Sequence, residues 1–132
     1  MTMTVTNNDL GGIVLFDPDY RDELLTFAGA GTVVAGTILA RDSVSGNLVP
    51  FVKGGVANEN GIPKCMTTVD VVTAGAGNVP LRALVGGKVR KDKLIINADG
   101  NGTNVDNAVI DQLRDFGILA EDSQDLSMLD NQ

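Results

Sequence analysis

The sequence predicts a compact, mainly β domain with one or two short helices, an α+β class built from short strands. Three observations carry this. β-Branched and aliphatic runs are separated by Gly- and Asn-rich turn chemistry. Aromatic residues make up 4% of the chain and Trp is absent, so the core must be built from small aliphatics. Helical recurrence of apolar residues is concentrated in one stretch near the C-terminal end. At 132 residues the chain suits one domain and is too short for two comfortable ones.

Taken in order, Thr2, Thr4 and Thr6 alternate with Met3 and Val5, a pattern that suits an extended strand but supplies little to bury. The apolar tetrad Ile13-Val14-Leu15-Phe16 is either a satellite strand of the core or a sticky arm. Pro18 should stop it. Asp19 is placed to cap a short helix in which Tyr20, Leu24 and Phe27 recur one turn apart and Gly29 ends the run. Gly31 to Ala40, GTVVAGTILA, is a strand apolar on both faces. Ser45-Gly46-Asn47 is a turn, and Leu48 to Val52 returns as its hairpin partner, with Pro50 marking an edge or bulge. Residues 53–62 read as a flexible loop and Met66 to Thr73 as a strand. Val79, Leu81, Ala83 and Val85 alternate as a half-buried strand, and Val89 and Leu94 to Ile96 are short strands.

One helix closes the domain. Thr103 and Asp106 form a capping-box-like pair, and Val105, Ala108, Val109, Leu113 and Phe116 recur at helical spacing before Gly117. Burying the four large members of that stripe would contribute roughly 6–12 kcal/mol gross. Ile118-Leu119 then re-enters the core as a strand, and an acidic tail follows.

Charge excludes several classes of function. Ten basic against 17 acidic residues leave a net charge of −7, which argues against binding a phosphate backbone. The sign is uneven: residues 32–105 carry +3, whereas 1–31 carry −4 and 106–132 carry −6. Without His the chain lacks the usual general base and the commonest metal ligand. Cys65 is alone, which rules out an internal disulfide and a thiolate zinc cluster and suits a small buried hydrophobe. No secretory signal and no apolar run of membrane-spanning length is evident, so the expectation is a chain made in the cytoplasm with no membrane partner.

The motifs that might carry chemistry have plainer readings. GAGTVVAG (Gly29 to Gly36) lacks the Lys-Ser/Thr of a phosphate loop and opens no helix. Asn97, Asp99, Asn101 and Gly102 mimic the start of a calcium loop, but the position that should hold a bidentate Glu is Ala108. Asp17 and Asp19 in FDPDY are explained by an Asx-Pro turn and a helix cap as well as by a metal pair. Lys88, Arg90, Lys91 and Lys93 read as a solvated strand face. No catalytic residue, cofactor or metal site is expected, and the chain is read as a structural protein rather than an enzyme.

From Gly31 onward the sequence resembles the phage-lambda-type head decoration proteins, which cement icosahedral capsids. The features are GTVVAGTILA followed by NLVPF (Asn47 to Phe51), then GNVPLRALVGGKVR (Gly77 to Arg90) and LRDFGIL (Leu113 to Leu119), in the family's order and at about its spacing. They span about ninety of the 132 residues. The N-terminal segment, the loop 53–62 and the tail after Ala120 are all longer than the family pattern.

The resemblance implies a β-tulip-like decoration-protein fold with an extended N-terminal arm. Its divisions would be a capsid-binding arm with a short helix at 1–30, a core domain at 31–120 and an acidic tail at 121–132. It implies a homotrimer on the outer surface of the expanded virion capsid, at three-fold and quasi-three-fold positions. There it would stabilise the matured shell against internal DNA pressure, with the major capsid protein as partner and no nucleic acid bound. The arm residues expected to touch capsid, by adding strands to its sheet, are Thr4, Val5, Thr6, Ile13, Val14, Leu15 and Phe16. The competing reading is a phage tail, baseplate or host-attachment β module.

Overall fold

The computed structural model describes residues 12–121. Among these the chain is mainly β, with eight strands and one short α-helix. The strands are β1 (Val14–Phe27), β2 (Gly31–Val33), β3 (Ile38–Arg41), β4 (Leu48–Pro50), β5 (Pro63–Thr67), β6 (Val71–Thr73), β7 (Gly77–Arg90) and β8 (Ile118–Glu121). The helix α1 spans Asn107–Asp115.

Six strands form one sheet in the order β1-β4-β3-β5-β7-β8, and β1 also pairs antiparallel with β7, so the sheet closes on itself. Closure at the other side of β1 is narrow, a parallel contact of Leu25 with Leu48 on β4. β2 and β6 form a separate antiparallel ribbon. All the strands of the circuit send residues to one buried cluster, the barrel interior. These are Leu25 and Phe27 of β1, Leu39 of β3, Leu48 of β4, Cys65 of β5, and Leu81 and Ala83 of β7; Val33 and Val71 of the ribbon join them. The alternate residues of the central strands point outward, where Ile38, Ala40, Met66, Leu84 and Val89 are covered by Phe51, Leu94, Ile96, Val109, Leu113 and Ile118. Burial of both faces explains why this part of the sequence lacks polar alternation. Burial pushes the Cys65 thiol up to about 12, so it is a packing group at neutral pH.

The helix expected after Asp19 is instead the second half of β1. Pro18 does not end the strand, because it sits in a bulge: pairing skips from Phe16↔Lys88 to Asp19↔Gly86, and Asp17 takes φ 52°. Gly87 makes room for this bulge, since a Cβ there would lie 2.7 Å from the Asp17 carbonyl oxygen. The strand prevails over the helical spacing because Glu23, Leu25 and Phe27 alternate inward against a partner, β7, that offers an equally long ladder.

GTVVAGTILA is likewise not one strand. It breaks at Gly36 (φ +96°) into β2 and β3, which belong to different sheets. At the break the chain 93–96 crosses: Ile95 N–H donates to Gly36 O at 2.9 Å, and a Cβ on Gly36 would lie 2.1 Å from Lys93 O. The stretch Met66 to Thr73 is also divided, between β5 and β6. Loop 53–62 is held by its own backbone rather than loose. Val52 N–H donates to Asn60 O at 2.9 Å, Ser43 N–H donates to Asn58 O at 3.0 Å, and Gly61 packs directly on Gly55.

Asp106, not Thr103, caps α1, accepting from Val109 N–H at 3.1 Å. A hydrogen bond from Lys53, 2.6 Å from Oδ2, together with that amide, holds its carboxyl below the usual carboxylate range. The buried stripe is narrower than its spacing suggests: Val109 and Leu113 are buried, whereas Ala108 and Phe116 are exposed. Lys64 covers the Phe116 ring at 4.1 Å instead.

Arg41 ties the barrel wall together. Its guanidinium grips Glu23 of β1 with two bonds, at 3.1 and 2.9 Å, and donates to Gly46 O at 2.8 Å. That hydrogen bond lowers the Glu23 pKa below its ordinary value of 4.5. A depressed carboxylate stabilises the fold above its unfolded-state pKa, and the contribution is lost as pH falls through the folded value. The stability difference between the natural chain and Glu23→Gln, measured by urea unfolding, should therefore be full at neutral pH and shrink toward zero under acid. Gly36→Ala should cost at least about 2 kcal/mol, because it combines an unfavourable φ with a backbone clash. Gly46→Ala shares a positive φ of +80° but meets no atom within 4 Å, and should cost less in the same measurement.

Candidate interaction surface

The exposed end of β7 gathers the groups available for recognition. Val89 is paired on one side with Val14 of β1 and on the other with Ala120 of β8. β1 is antiparallel to β7 and β8 is parallel to it, so the chain enters β1 and leaves β8 at the same end of the barrel. Arg90 marks that end: its N–H donates to Ile13 O at 2.8 Å, and it stands opposite Glu121. The segments 1–11 and 122–132 therefore join the described fold side by side.

Cross-strand neighbours share a face, so Phe16, Lys88 and Leu119 line up across β1, β7 and β8. Phe16 is 50% exposed and Leu119 is 37% exposed, with the Lys88 ammonium 5.8 Å from the Phe16 ring centre. This is an apolar stripe crossed by one cation. Beyond it, Lys91 and Lys93 lie exposed in a 3₁₀ turn, and Arg90, with its side chain largely covered, pairs with Asp92 at 3.2 Å.

The expected contact residues divide. Thr4, Val5 and Thr6 lie outside the described residues. Of the tetrad, Leu15 is buried, and Ile13 and Val14 pack partly buried against the outer core. Only Phe16 faces outward. Val14, Leu15 and Phe16 of the tetrad belong to β1, with Val14 and Phe16 paired to Val89 and Lys88 of β7 and Ile13 just before the strand, and Phe16 is the one residue of the four available as an anchor. The sequence pattern places Lys88 in a solvated cluster and both Ile118 and Leu119 in the core; of that pair only Ile118 re-enters it. No periodicity in the sequence could align Phe16, Lys88 and Leu119, since that alignment follows from pairing between distant segments.

The motif with a calcium-like start is occupied by its own turn. Asn101 Oδ1 accepts from Thr103 N–H at 2.9 Å and Asp99 Oδ2 accepts from Asn104 Nδ2 at 2.9 Å. Among the described residues no cluster of three His, Cys, Asp or Glu could hold a metal ion.

Comparison of the chain with family models, curated proteins and solved structures finds no match.

The divided tetrad can be checked directly. Leu15→Ala should destabilise the protein by about 2–4 kcal/mol, as expected for a truncated core leucine. Phe16→Ala should cost less than about 1 kcal/mol in the same denaturation series.

Proposed function

We propose that the chain is a phage head decoration protein that binds the outside of the expanded capsid as a trimer and cements it. The observation that carries the reading is the shared exit of both flanking segments beside the Phe16–Lys88–Leu119 stripe. The features between Gly31 and Leu119 that resemble that family in order and spacing support it from the sequence side.

The proposed mechanism is strand addition. The alternation of Thr2, Thr4 and Thr6 with Met3 and Val5 suits a segment whose backbone extends a neighbouring sheet of the major capsid protein. Phe16, at the root of that segment, supplies the apolar contact. Binding one segment is weak, but three on one trimer raise avidity by about 10²–10⁴ through effective concentration. A trimer that binds only the expanded lattice stabilises it by about 2.7 kcal/mol per site at a hundredfold excess over Kd. No covalent bond is made or broken.

Co-sedimentation with expanded and unexpanded phage shells lacking their decoration protein tests this, alongside a mass measurement of the free protein. The full chain should pellet with expanded shells only, and the chain without residues 1–11 should remain folded and stay in the supernatant. A deletion extended to residue 16 is not equivalent, since it removes Leu15 and the first rungs of the β1–β7 ladder. Equal binding by the chain without 1–11 would remove the segment from the mechanism. Failure of the full chain to bind either shell would overturn the reading.

A further inference from the structure

We infer that copies of this chain associate head to tail, with Val44, Val52 and Val56 of one copy seated in the groove that Tyr20, Val69 and Arg82 form on the next. The inference rests on the trimer in the reading above and names the contact that holds it together, with no use of the shell.

Val56 and Val44 are 92% and 79% exposed, the two most exposed large hydrophobic side chains among the described residues. They stand on different loops, Val44 between β3 and β4 and Val56, with the exposed Val52, between β4 and β5. The two loops are fastened together, since Ser43 N–H donates to Asn58 O at 3.0 Å. Each is also fixed internally: Asp42 Oδ1 accepts from Val44 N–H at 2.8 Å, and Val52 N–H donates to Asn60 O at 2.9 Å. Asn58 and Glu59 take φ of 48° and 65°, a left-handed pair without glycine that persists only where the surroundings determine it. Single exposed valines are ordinary, but three on loops held in this way form an apolar surface ordered before any partner arrives.

The receiving site lies on another wall of the barrel. An open groove of about 310 Å³ is lined by Tyr20 of β1, Thr68, Val69 and Arg82 of β7. Val69 is exposed, and so are Leu24 and Pro80, which pair across the same ladder two positions beyond Asp22 and Arg82. In the circuit of strands β7 adjoins β1 and β5, whereas the valine loops flank β4. One copy can therefore fill a neighbour's groove while a third copy fills its own. A contact between two different patches closes into a ring when the rotation suits, and three copies make the trimer.

Charge selects a second copy as the occupant. Glu59, exposed on the same turn as Val56, has no cation partner among the described residues. The other charges of the valine loops are engaged within the chain: Lys53 pairs with Asp106, and Asp42 accepts backbone N–H groups of its own turn. At the groove, Arg82 lies over the Tyr20 ring at 5.4 Å and keeps one long contact, 3.7 Å, with Asp22. The remaining charges nearby are Arg21, which reaches Glu23 at 4.0 Å, and Asp70, whose Oδ1 accepts from Ala35 N–H at 2.7 Å. Seating the valines against Val69 and Tyr20 brings the uncommitted acid of one copy to the loosely held guanidinium of the next. The two patches thus match in both polarity and sign.

Light scattering of the full-length protein over a range of concentrations tests the contact. The natural chain should be a trimer. Val56→Asp and Arg82→Glu should each raise the concentration of half-dissociation by about tenfold or more, with far-UV circular dichroism unchanged. Glu59→Arg combined with Arg82→Glu should recover most of the natural association, because the ion pair is reversed rather than lost. Natural association in either single variant would overturn the inference. So would a reversed pair that associates no better than Arg82→Glu alone, a natural chain that is monomeric, or a dimer in place of the trimer. Co-sedimentation reads the capsid proposal separately: a chain that trimerises through this contact yet ignores expanded shells keeps the inference and loses the capsid reading.

Discussion

The ladder between β1 and β7 is the pairing on which the other features depend. It joins two strands of fourteen residues whose sequence separation is large, and it converts an open sheet into a closed one. Without it, the parallel contact of Leu25 and Leu48 would be the one strand pairing left to β1 among the described residues. Closure places Leu25 and Phe27 inside the barrel and sets Glu23 where Arg41 reaches it with two hydrogen bonds. The ladder tolerates Pro18 because Asp17 and Pro18 bulge out of register, and Gly87 leaves space for the bulged backbone. A side chain at Gly87 would meet three backbone atoms of residues 16–18 within about 3 Å, so these two irregularities are coupled.

Closure also decides where function can reside. The interior is filled by Leu25, Leu39, Leu48, Cys65, Leu81 and Ala83, and the outer face of β3, β5 and β7 is sealed by α1 and the chain 94–96. A small barrel packed this way holds side chains rather than a ligand. Recognition is left to the rim and the flanks, and the exposed end of β7 is where apolar area, positive charge and both chain extensions coincide.

Much of this was legible in the residues themselves. Turn chemistry at Ser45-Gly46-Asn47 located a hairpin, alternation from Val79 to Ala83 located part of β7, and Leu113 and Gly117 located the end of the helix. What failed did so for a common reason: local pattern was overridden by a partner distant in sequence. Tyr20, Leu24 and Phe27 keep helical spacing, yet β7 makes a strand of them. Gly36 reads as an ordinary strand glycine until the crossing chain at Lys93 shows why no side chain fits. Thr103 resembles a cap, but Asp106 is the one that Lys53 orients. The stripe Phe16–Lys88–Leu119 was illegible for the same cause, since its members lie 72 and 31 positions apart and only the register unites them.

The incorporation of Val14 to Phe16 into β1, with Ile13 O accepting from Arg90 N–H just before it, alters the energetics of the proposed capsid contact. Ordering a chain segment costs about 1–2 kcal/mol per residue in backbone entropy alone. Had the whole tetrad been recruited on binding, fixing its four residues would have opposed association by about 4–8 kcal/mol. The fold meets that cost already through Leu15 and the β7 rungs, so Phe16 is held in place before any partner arrives. Preorganisation of this kind favours binding by reducing what association must order. It also fixes where the described chain begins, at Gly12, relative to Phe16. A neighbouring shell sheet, in the proposed role, has to offer its edge at a defined position relative to Phe16. In the proposed role, selectivity for the expanded lattice follows from that geometric demand, because expansion is what would bring the receiving edges to the spacing set by the three barrels.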